Sequence, residues 1–214
     1  MSDAAAFHEV DDAVRQDELK AWWKRYGTWV VAGVVALLVA VTGTVGWRHY
    51  QASQRAAAGA AYTLALGKIG HNDAAAQAEL QKLATDAVEP YRWFAALTLA
   101  QLRAKPEERV DALLAVAPQL PSLLSDLALT IAGYQSVDTP KLGEMVAKLE
   151  PLAAPDRPFH GSVVELQGLE AWRKGDLKHA REIWSQLVKD PAAPPGAVQR
   201  AQALLNFTGE QGAK

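Results

Sequence analysis

Residues 165–191 read ELQGLEAWRKGDLKHAREIWSQLVKDP and form two amphipathic segments joined by a glycine–aspartate turn. Gly168 in the first segment is followed by Ala180 and Trp184 in the second, and Pro191 ends the stretch. Small residues let two helices cross closely, the aromatic side chain fills the space between them, and proline stops the second helix. This order predicts a helix–turn–helix unit packed through Gly168, Ala180 and Trp184.

Turn signals recur on both sides of this unit at intervals of about 34 residues, the period of a tetratricopeptide repeat. Turns within helix pairs are predicted at Gly70-His71-Asn72-Asp73, Lys105-Pro106, residues 136–140 and Gly175-Asp176. Joints between pairs are predicted at Glu89-Pro90 and at residues 118–121, 155–158 and 191–195. The sequence therefore predicts an all-α fold, a tetratricopeptide-like α-solenoid of about four helix pairs. A last helix, from about Gly196 to Phe207, is expected to cap the solenoid. In the second pair, the candidate packing residues are Ala100 and Ala112.

The composition limits the classes of function. The chain has 214 residues, a formal net charge of -2 and no cysteine. A nucleic-acid-binding protein carries a strong basic excess, which this composition does not show. Structural disulfides, thiol catalysis and thiolate metal sites require cysteine and are excluded.

A second stretch, residues 27–47, contains no charged residue. As a helix it spans about 31 Å, roughly the thickness of the hydrocarbon core of a bilayer. The aromatic residues near its two ends, as in a membrane-interface belt, are Trp22, Trp23, Tyr26, Trp29, Trp47 and Tyr50. The stretch predicts a single N-terminal transmembrane helix. The alternatives are a buried helix of a soluble core, which rarely runs this long without a charge, and a cleaved signal peptide, which is shorter.

Basic residues set the expected orientation of this helix. Arg15, Lys20, Lys24 and Arg25 precede it, whereas fewer basic residues follow it, so the N-terminus is predicted to be cytoplasmic. The predicted domains are a cytoplasmic N-terminal arm (residues 1–26), the transmembrane helix (27–47) and a tetratricopeptide-like periplasmic domain (48–214).

Small residues recur every fourth position along the predicted transmembrane helix, at Ala32, Ala36, Ala40 and Thr44. Such a face lets another transmembrane helix approach closely, so these residues are a candidate packing face. The alternative is that alanine is simply common in this chain.

No motif indicates an active site, a cofactor or a metal. The five histidines are scattered without the spacing of metal ligands, and the sequence contains no Gly-rich phosphate loop and no nucleophile elbow. We therefore expect a protein that is not an enzyme. His160 is expected on a helix surface, and Glu165 with Glu170 on a solvated face.

Three aromatic residues, Tyr91, Trp93 and Phe94, cannot all point the same way on a helix. They form either a contact between repeats or a candidate partner groove.

The order of several segments carries a family resemblance. These segments are an acidic N-terminal arm with aromatic residues before the membrane, Gly46-Trp47-Arg48-His49-Tyr50, Tyr91 with AALTLAQ at 95–101, ELQGLEA at 165–171, Lys174-Gly175-Asp176, and Ala180-Arg181. Together they resemble the YfgM-like family, ancillary subunits of the bacterial Sec translocon with a tetratricopeptide-like periplasmic domain. The resemblance implies association with Sec translocon subunits in the cell inner membrane, and contact with periplasmic chaperones or emerging polypeptide.

The expected function is therefore that of a membrane-anchored protein-interaction module. A solenoid exposes an extended binding surface, and a membrane tether raises its effective concentration near membrane partners. Its expected partners are the lipid bilayer and proteins, with no nucleic acid and no small-molecule substrate. The alternatives are a structural or assembly subunit of another inner-membrane complex, and an enzyme with an unfamiliar site.

Overall fold

The computed structural model describes the backbone of residues 3–211 and the side chains of residue 20 and residues 22–209. This described backbone consists of helices joined by turns and short irregular segments, and it contains no β-strand. The α-helices are α1 (Asp3–Gly67), α2 (Asp73–Asp86), α3 (Tyr91–Gln101), α4 (Pro106–Val116), α5 (Ser122–Ser136), α6 (Leu142–Leu149), α7 (His160–Arg173), α8 (Leu177–Lys189) and α9 (Pro195–Gln211). Short 3-10 helices, Ala117–Gln119 and Glu150–Leu152, follow α4 and α6.

This arrangement confirms the predicted solenoid. The end of α1 pairs with α2, and the next pairs are α3 with α4, α5 with α6, and α7 with α8, followed by the single helix α9. Each predicted turn or joint lies between two of these helices or overlaps the end of one by a single residue. The chain is therefore all-α and tetratricopeptide-like, as its spacing of turn signals predicts.

Local interactions explain where two of the helices begin. Asn72 accepts a hydrogen bond from the backbone N–H of Ala75 (3.2 Å) and is the N-cap of α2. Asp176 caps α8 by accepting from the N–H of His179 (3.0 Å). Gly175 just before it has φ +85°, a left-handed conformation that glycine adopts without strain.

The chain divides into two compact units, one up to Ala56 and one from Ala57. The second unit contains three buried clusters in chain order. The first cluster joins Ala65 of α1 to Leu80 of α2 and Ala95 of α3. The middle cluster spans α3 to α6, and the last is centred on Trp184 and spans α6 to α9. Each pair thus buries its apolar face against its neighbours, which is how a solenoid builds a continuous core.

Among the described residues, one helical segment, Trp22–Gly67, is long and apolar enough to cross a membrane; its most apolar part lies in the first unit. None of its most apolar window is buried, unlike a core helix of a soluble domain. The predicted interface aromatics Trp22, Trp23, Tyr26, Trp29, Trp47 and Tyr50 are all exposed. So are the small residues Ala32, Ala36, Ala40 and Thr44. Side chains before Lys20, including Arg15 of the predicted arm, lie outside the described residues.

Candidate interaction site

The three aromatic residues at the start of α3 point in two directions. Tyr91 and Phe94 pack against Tyr62 of α1, with ring centroids 6.1 Å and 6.3 Å from that of Tyr62. Tyr62 is also hydrogen-bonded through its hydroxyl to Thr98 Oγ1 (2.8 Å). Tyr91 and Phe94 are therefore part of the contact between the first two helix pairs.

Helix α1 approaches this aromatic cluster closely because of Gly59. A Cβ atom at this position would lie 2.6 Å from Tyr91 Oη, a distance that real Cβ atoms do not tolerate. Gly59 therefore lets the Tyr91 ring lie directly against the backbone of α1.

Trp93 points elsewhere and lines a pocket of about 380 Å³. The pocket lies where the joint before α3 meets the joint between α4 and α5. The other lining residues are Ala84, Glu89, Arg92, Ala96, Val116, Pro118, Gln119, Leu120 and Pro121. Small and apolar side chains lie beside the half-buried indole, while Glu89, Arg92 and Gln119 supply polar groups. The mixture of apolar walls with a few polar groups is typical of pockets that bind ligands or partner side chains.

Sequence reasoning identified Trp93 but missed the rest of this pocket. Pro118, Leu120 and Pro121 lie more than two dozen positions further along the chain, and the sequence suggests only that they form a joint. The repeat period was the one available signal, since it places successive joints on the same edge of a solenoid.

The candidate packing residues of the fourth pair come together around Trp184. Its side chain is fully buried, and its indole N–H donates to the backbone carbonyl of Glu165 (3.3 Å). A Cβ atom at Gly168 would lie 2.1 Å from Trp184 Nε1, so the indole lies against the bare backbone of α7. Ala180 is fully buried in the same cluster. In the second pair, Ala100 is buried and Ala112 is half-buried, both within the middle cluster.

A polar network joins three helices beside this core. Glu165 of α7 accepts hydrogen bonds from the hydroxyl of Tyr134 on α5 (2.9 Å) and from Nε of Arg200 on α9 (2.8 Å). The Glu165 side chain is only 4% exposed, whereas that of Arg200 is 50% exposed. The expectation of a solvated Glu165 is therefore wrong, because a cation 35 positions along the chain folds back onto it.

The network shifts the acidity of its members. Burial raises the pKa of Tyr134 above its usual value, and the neighbouring carboxylate of Glu165 raises it further. The hydrogen bonds from Arg200 to Glu165 raise the pKa of the guanidinium. Near neutral pH, Tyr134 therefore remains a hydrogen-bond donor and Arg200 remains charged, so the three groups form a structural contact between α5, α7 and α9.

His160 is also buried, contrary to the expectation of a surface position. Its Nδ1 lies 2.5 Å from the carbonyl oxygen of Ala153, and its Nε2 lies 2.6 Å from Asp190 Oδ2. The backbone N–H of Ala192 and, next, the hydrogen bond with His160 hold the pKa of Asp190 below its usual range. His160 thus ties the start of α7 to the end of α8. The repeat pattern gave no signal for this contact, because neither residue belongs to the repeat consensus.

Two further crevices lie between other helices. One, of about 470 Å³, carries Glu170, Lys174, Asp176 and His179 on its walls. Glu170 pairs with Lys174 (2.7 Å) and Asp176 is the N-cap of α8, so both carboxylates already have structural partners. The other crevice, of about 570 Å³, is lined by residues of α2, the end of α3 and the start of α4. Among the described residues, no group of three or more His, Cys, Asp or Glu side chains has an arrangement suited to a metal ion.

Comparison with protein families gives one match. The family described as a tetratricopeptide repeat-like domain matches residues 20–194. Comparisons with curated proteins and with solved structures gave no significant match.

Proposed function

Since the chain belongs to the tetratricopeptide repeat-like family, we propose that it is a membrane-anchored protein-interaction module of the bacterial inner membrane. In this proposal it is an ancillary subunit of the Sec translocon that links it to periplasmic chaperones or emerging polypeptide. Repeat domains of this kind act as scaffolds for protein partners. The resemblance to the YfgM-like family supports the choice of the translocon.

The pocket beside Trp93 is the observation that carries this proposal. Its neighbours Tyr91 and Phe94 are used in packing between helices, whereas Trp93 borders open space at a joint. Tryptophan and arginine are the residues most often responsible for binding energy at protein interfaces, and Trp93 lies beside Arg92. Arg92 is itself positioned by a hydrogen bond from its Nε to the carbonyl of Ala87 (3.2 Å).

The membrane anchor is the second part of the proposal. The exposed apolar side chains of residues 27–47, with exposed aromatic residues at both ends, support a spanning helix. The excess of basic residues before it supports a cytoplasmic N-terminus and a periplasmic solenoid. We also propose that Ala32, Ala36, Ala40 and Thr44 contact another transmembrane helix. A tethered solenoid meets its partners at a high effective concentration, so weak binding suffices.

Two charges in the middle of the span are expected to abolish anchoring. Replacing both Val35 and Leu38 with arginine adds on the order of 6 kcal/mol to the free energy of insertion. The doubly substituted full-length chain should leave the membrane pellet after an alkaline wash, while the unaltered chain should remain in it. The matched control is Leu123→Arg, an exposed leucine of α5, which should stay in the pellet. Retention of the double variant would contradict the proposed span.

Truncation of Trp93 is expected to weaken partner binding. A photo-crosslinking residue at Gln119, on the rim of the pocket, should trap translocon subunits or periplasmic chaperones in native membranes. Trp93→Ala should reduce this yield about tenfold or more, the loss expected for an interface hot spot.

The control is Trp172→Ala, which removes a half-buried tryptophan that contacts Phe207 on α9. It should leave the crosslinking yield at Gln119 unchanged. Equal yields with and without Trp93, at equal thermal stability, would refute the role of the pocket. Adducts formed only with subunits of another membrane complex would favour the assembly-subunit alternative.

A further inference from the structure

The imidazole ring of His160 lies between two oxygen atoms from different parts of the chain. The side chain is 9% exposed and belongs to the first residue of α7. The carbonyl oxygen of Ala153, in the segment that follows α6, lies 2.5 Å from Nδ1. The carboxylate oxygen Oδ2 of Asp190, at the end of α8, lies 2.6 Å from Nε2. Both ring nitrogens are therefore within hydrogen-bond distance of an oxygen atom.

These two oxygen atoms require two hydrogen-bond donors from the ring. A carbonyl oxygen only accepts hydrogen bonds, and so does an ionised carboxylate. Asp190 is ionised, because the backbone N–H of Ala192 (2.8 Å) and, next, the hydrogen bond with His160 hold its pKa below its usual range. A neutral imidazole has one N–H and one lone pair, whereas the imidazolium has two N–H groups. The doubly protonated ring is thus the form that satisfies both oxygen atoms.

The other charged groups on the segments around the ring are neutralised or lie in water. They are the ion pairs Arg157–Asp126 and Arg200–Glu165 and the exposed side chains of Asp156 and Lys189. Among the described residues, Asp190 is the one group that forms an ion pair with His160. The dipole at the start of α7 opposes a positive charge there, but it is equivalent to only about half a charge, against the full charge of a carboxylate in direct contact. Asp190 therefore outweighs the helix dipole.

This contact also holds the start of α9 against α7. A Cβ atom at Gly161, the residue after His160, would lie 2.9 Å from Pro194 and 3.0 Å from Ala197. The segment between α8 and α9 therefore packs directly on the first turn of α7. Asp190 ends α8 and begins that segment. Loss of the hydrogen bond between His160 and Asp190 would loosen both the segment and the first turn of α9.

We propose that His160 and Asp190 form a proton-dependent lock, which holds the start of α9 on α7 while the ring carries both protons and the carboxylate carries none. Raising the pH removes a ring proton and turns a lone pair towards one of the two oxygen atoms. The stability that the ring proton contributes is therefore present at acidic pH and is lost as the ring titrates.

The lock also has an acid limit. Because the pKa of Asp190 is lowered in the folded chain, the contribution of its carboxylate is present above the usual carboxyl range and is lost as the pH falls through the lowered value. The lock is closed between these two limits. The last part of the solenoid then responds to the acidity of its compartment without a ligand.

Thermal unfolding of the detergent-solubilised full-length chain tests the lock. Between about pH 5.5 and 8.5, where histidine titrates, the midpoint of the parent chain should fall by about 5 °C, the loss expected for one hydrogen bond to a charged group. His160→Gln removes the titrating ring and should remove this fall. The matched control is His179→Gln, because His179 lies 3.8 Å from Glu182 but is 60% exposed, and this variant should keep the fall.

Two measurements on the parent chain complete the test and decide it if His160→Gln does not fold. Long-range ¹H–¹⁵N correlation spectra at about pH 6 should show protons on both ring nitrogens of His160. Raising the pH to about 8 should speed amide hydrogen exchange in residues 190–200 about tenfold relative to α2, the factor that corresponds to one such hydrogen bond.

Three results would overturn the lock. They are an equal fall of the midpoint in the parent chain and in His160→Gln, a single protonated ring nitrogen at the acidic pH, and exchange in residues 190–200 that keeps a constant ratio to that in α2. None of these results depends on the membrane anchor or on the pocket beside Trp93, so they leave the proposed function untouched.

Discussion

Replacing Gly168 with alanine is expected to lower the free energy of unfolding by about 3 kcal/mol, the upper part of the range for overpacking a core. The new methyl group would lie 2.1 Å from Trp184 Nε1 and 2.7 Å from Cδ1 of the same ring. The indole is fully buried, so it can move away only by displacing the core around it. Thermal unfolding of the detergent-solubilised chain, followed by near-ultraviolet circular dichroism, should show a midpoint lower by about 10 °C.

Gly196→Ala provides the control for this change. Gly196 lies in the first turn of α9, and its nearest neighbour would be Arg200 Nη1 at 3.5 Å from the new Cβ, an ordinary contact. This variant should be as stable as the parent chain or slightly more so, because alanine favours the helix. An unchanged midpoint for Gly168→Ala would mean that α7 and α8 do not cross as closely as the structure shows.

Replacing Arg200 with methionine is expected to cost about 2–3 kcal/mol of stability, because it leaves the buried carboxylate of Glu165 without its cation. The loss falls below that of a fully buried pair because water screens the half-exposed guanidinium. Adding Glu165→Gln to Arg200→Met should restore part of the stability, since the neutral amide still accepts the hydrogen bond from Tyr134. Equal stability of Arg200→Met and the parent chain would show that the network contributes nothing.

The architecture could be predicted because its signals are local and repeated. Turn residues recur at a fixed period, and Gly168, Ala180 and Trp184 stand in the order that close helix crossing requires. Each of these signals depends only on neighbours within one helix pair. The number of pairs and the final helix follow from the same spacing.

The polar contacts could not be predicted, because they depend on side chains from helices far apart in sequence. Glu165 looks like any surface glutamate until Tyr134 and Arg200 are placed around it. His160 looks solvent-facing until the segment that follows α6 and the residues at the end of α8 close over it. The same limit applies to the pocket beside Trp93, since its walls come from two joints that only the completed solenoid brings together.

The position of Arg200 in the chain has a consequence for biosynthesis. Glu165 emerges from the ribosome with the fourth helix pair, but its counter-ion follows 35 residues later, on α9. Until that helix is made, the carboxylate has no cation and favours hydration over burial, which opposes closure of the last part of the core. A nascent chain would therefore hold an incomplete domain, open to proteases and chaperones, until its final helix docks, and under the proposed anchoring it would do so at the membrane surface.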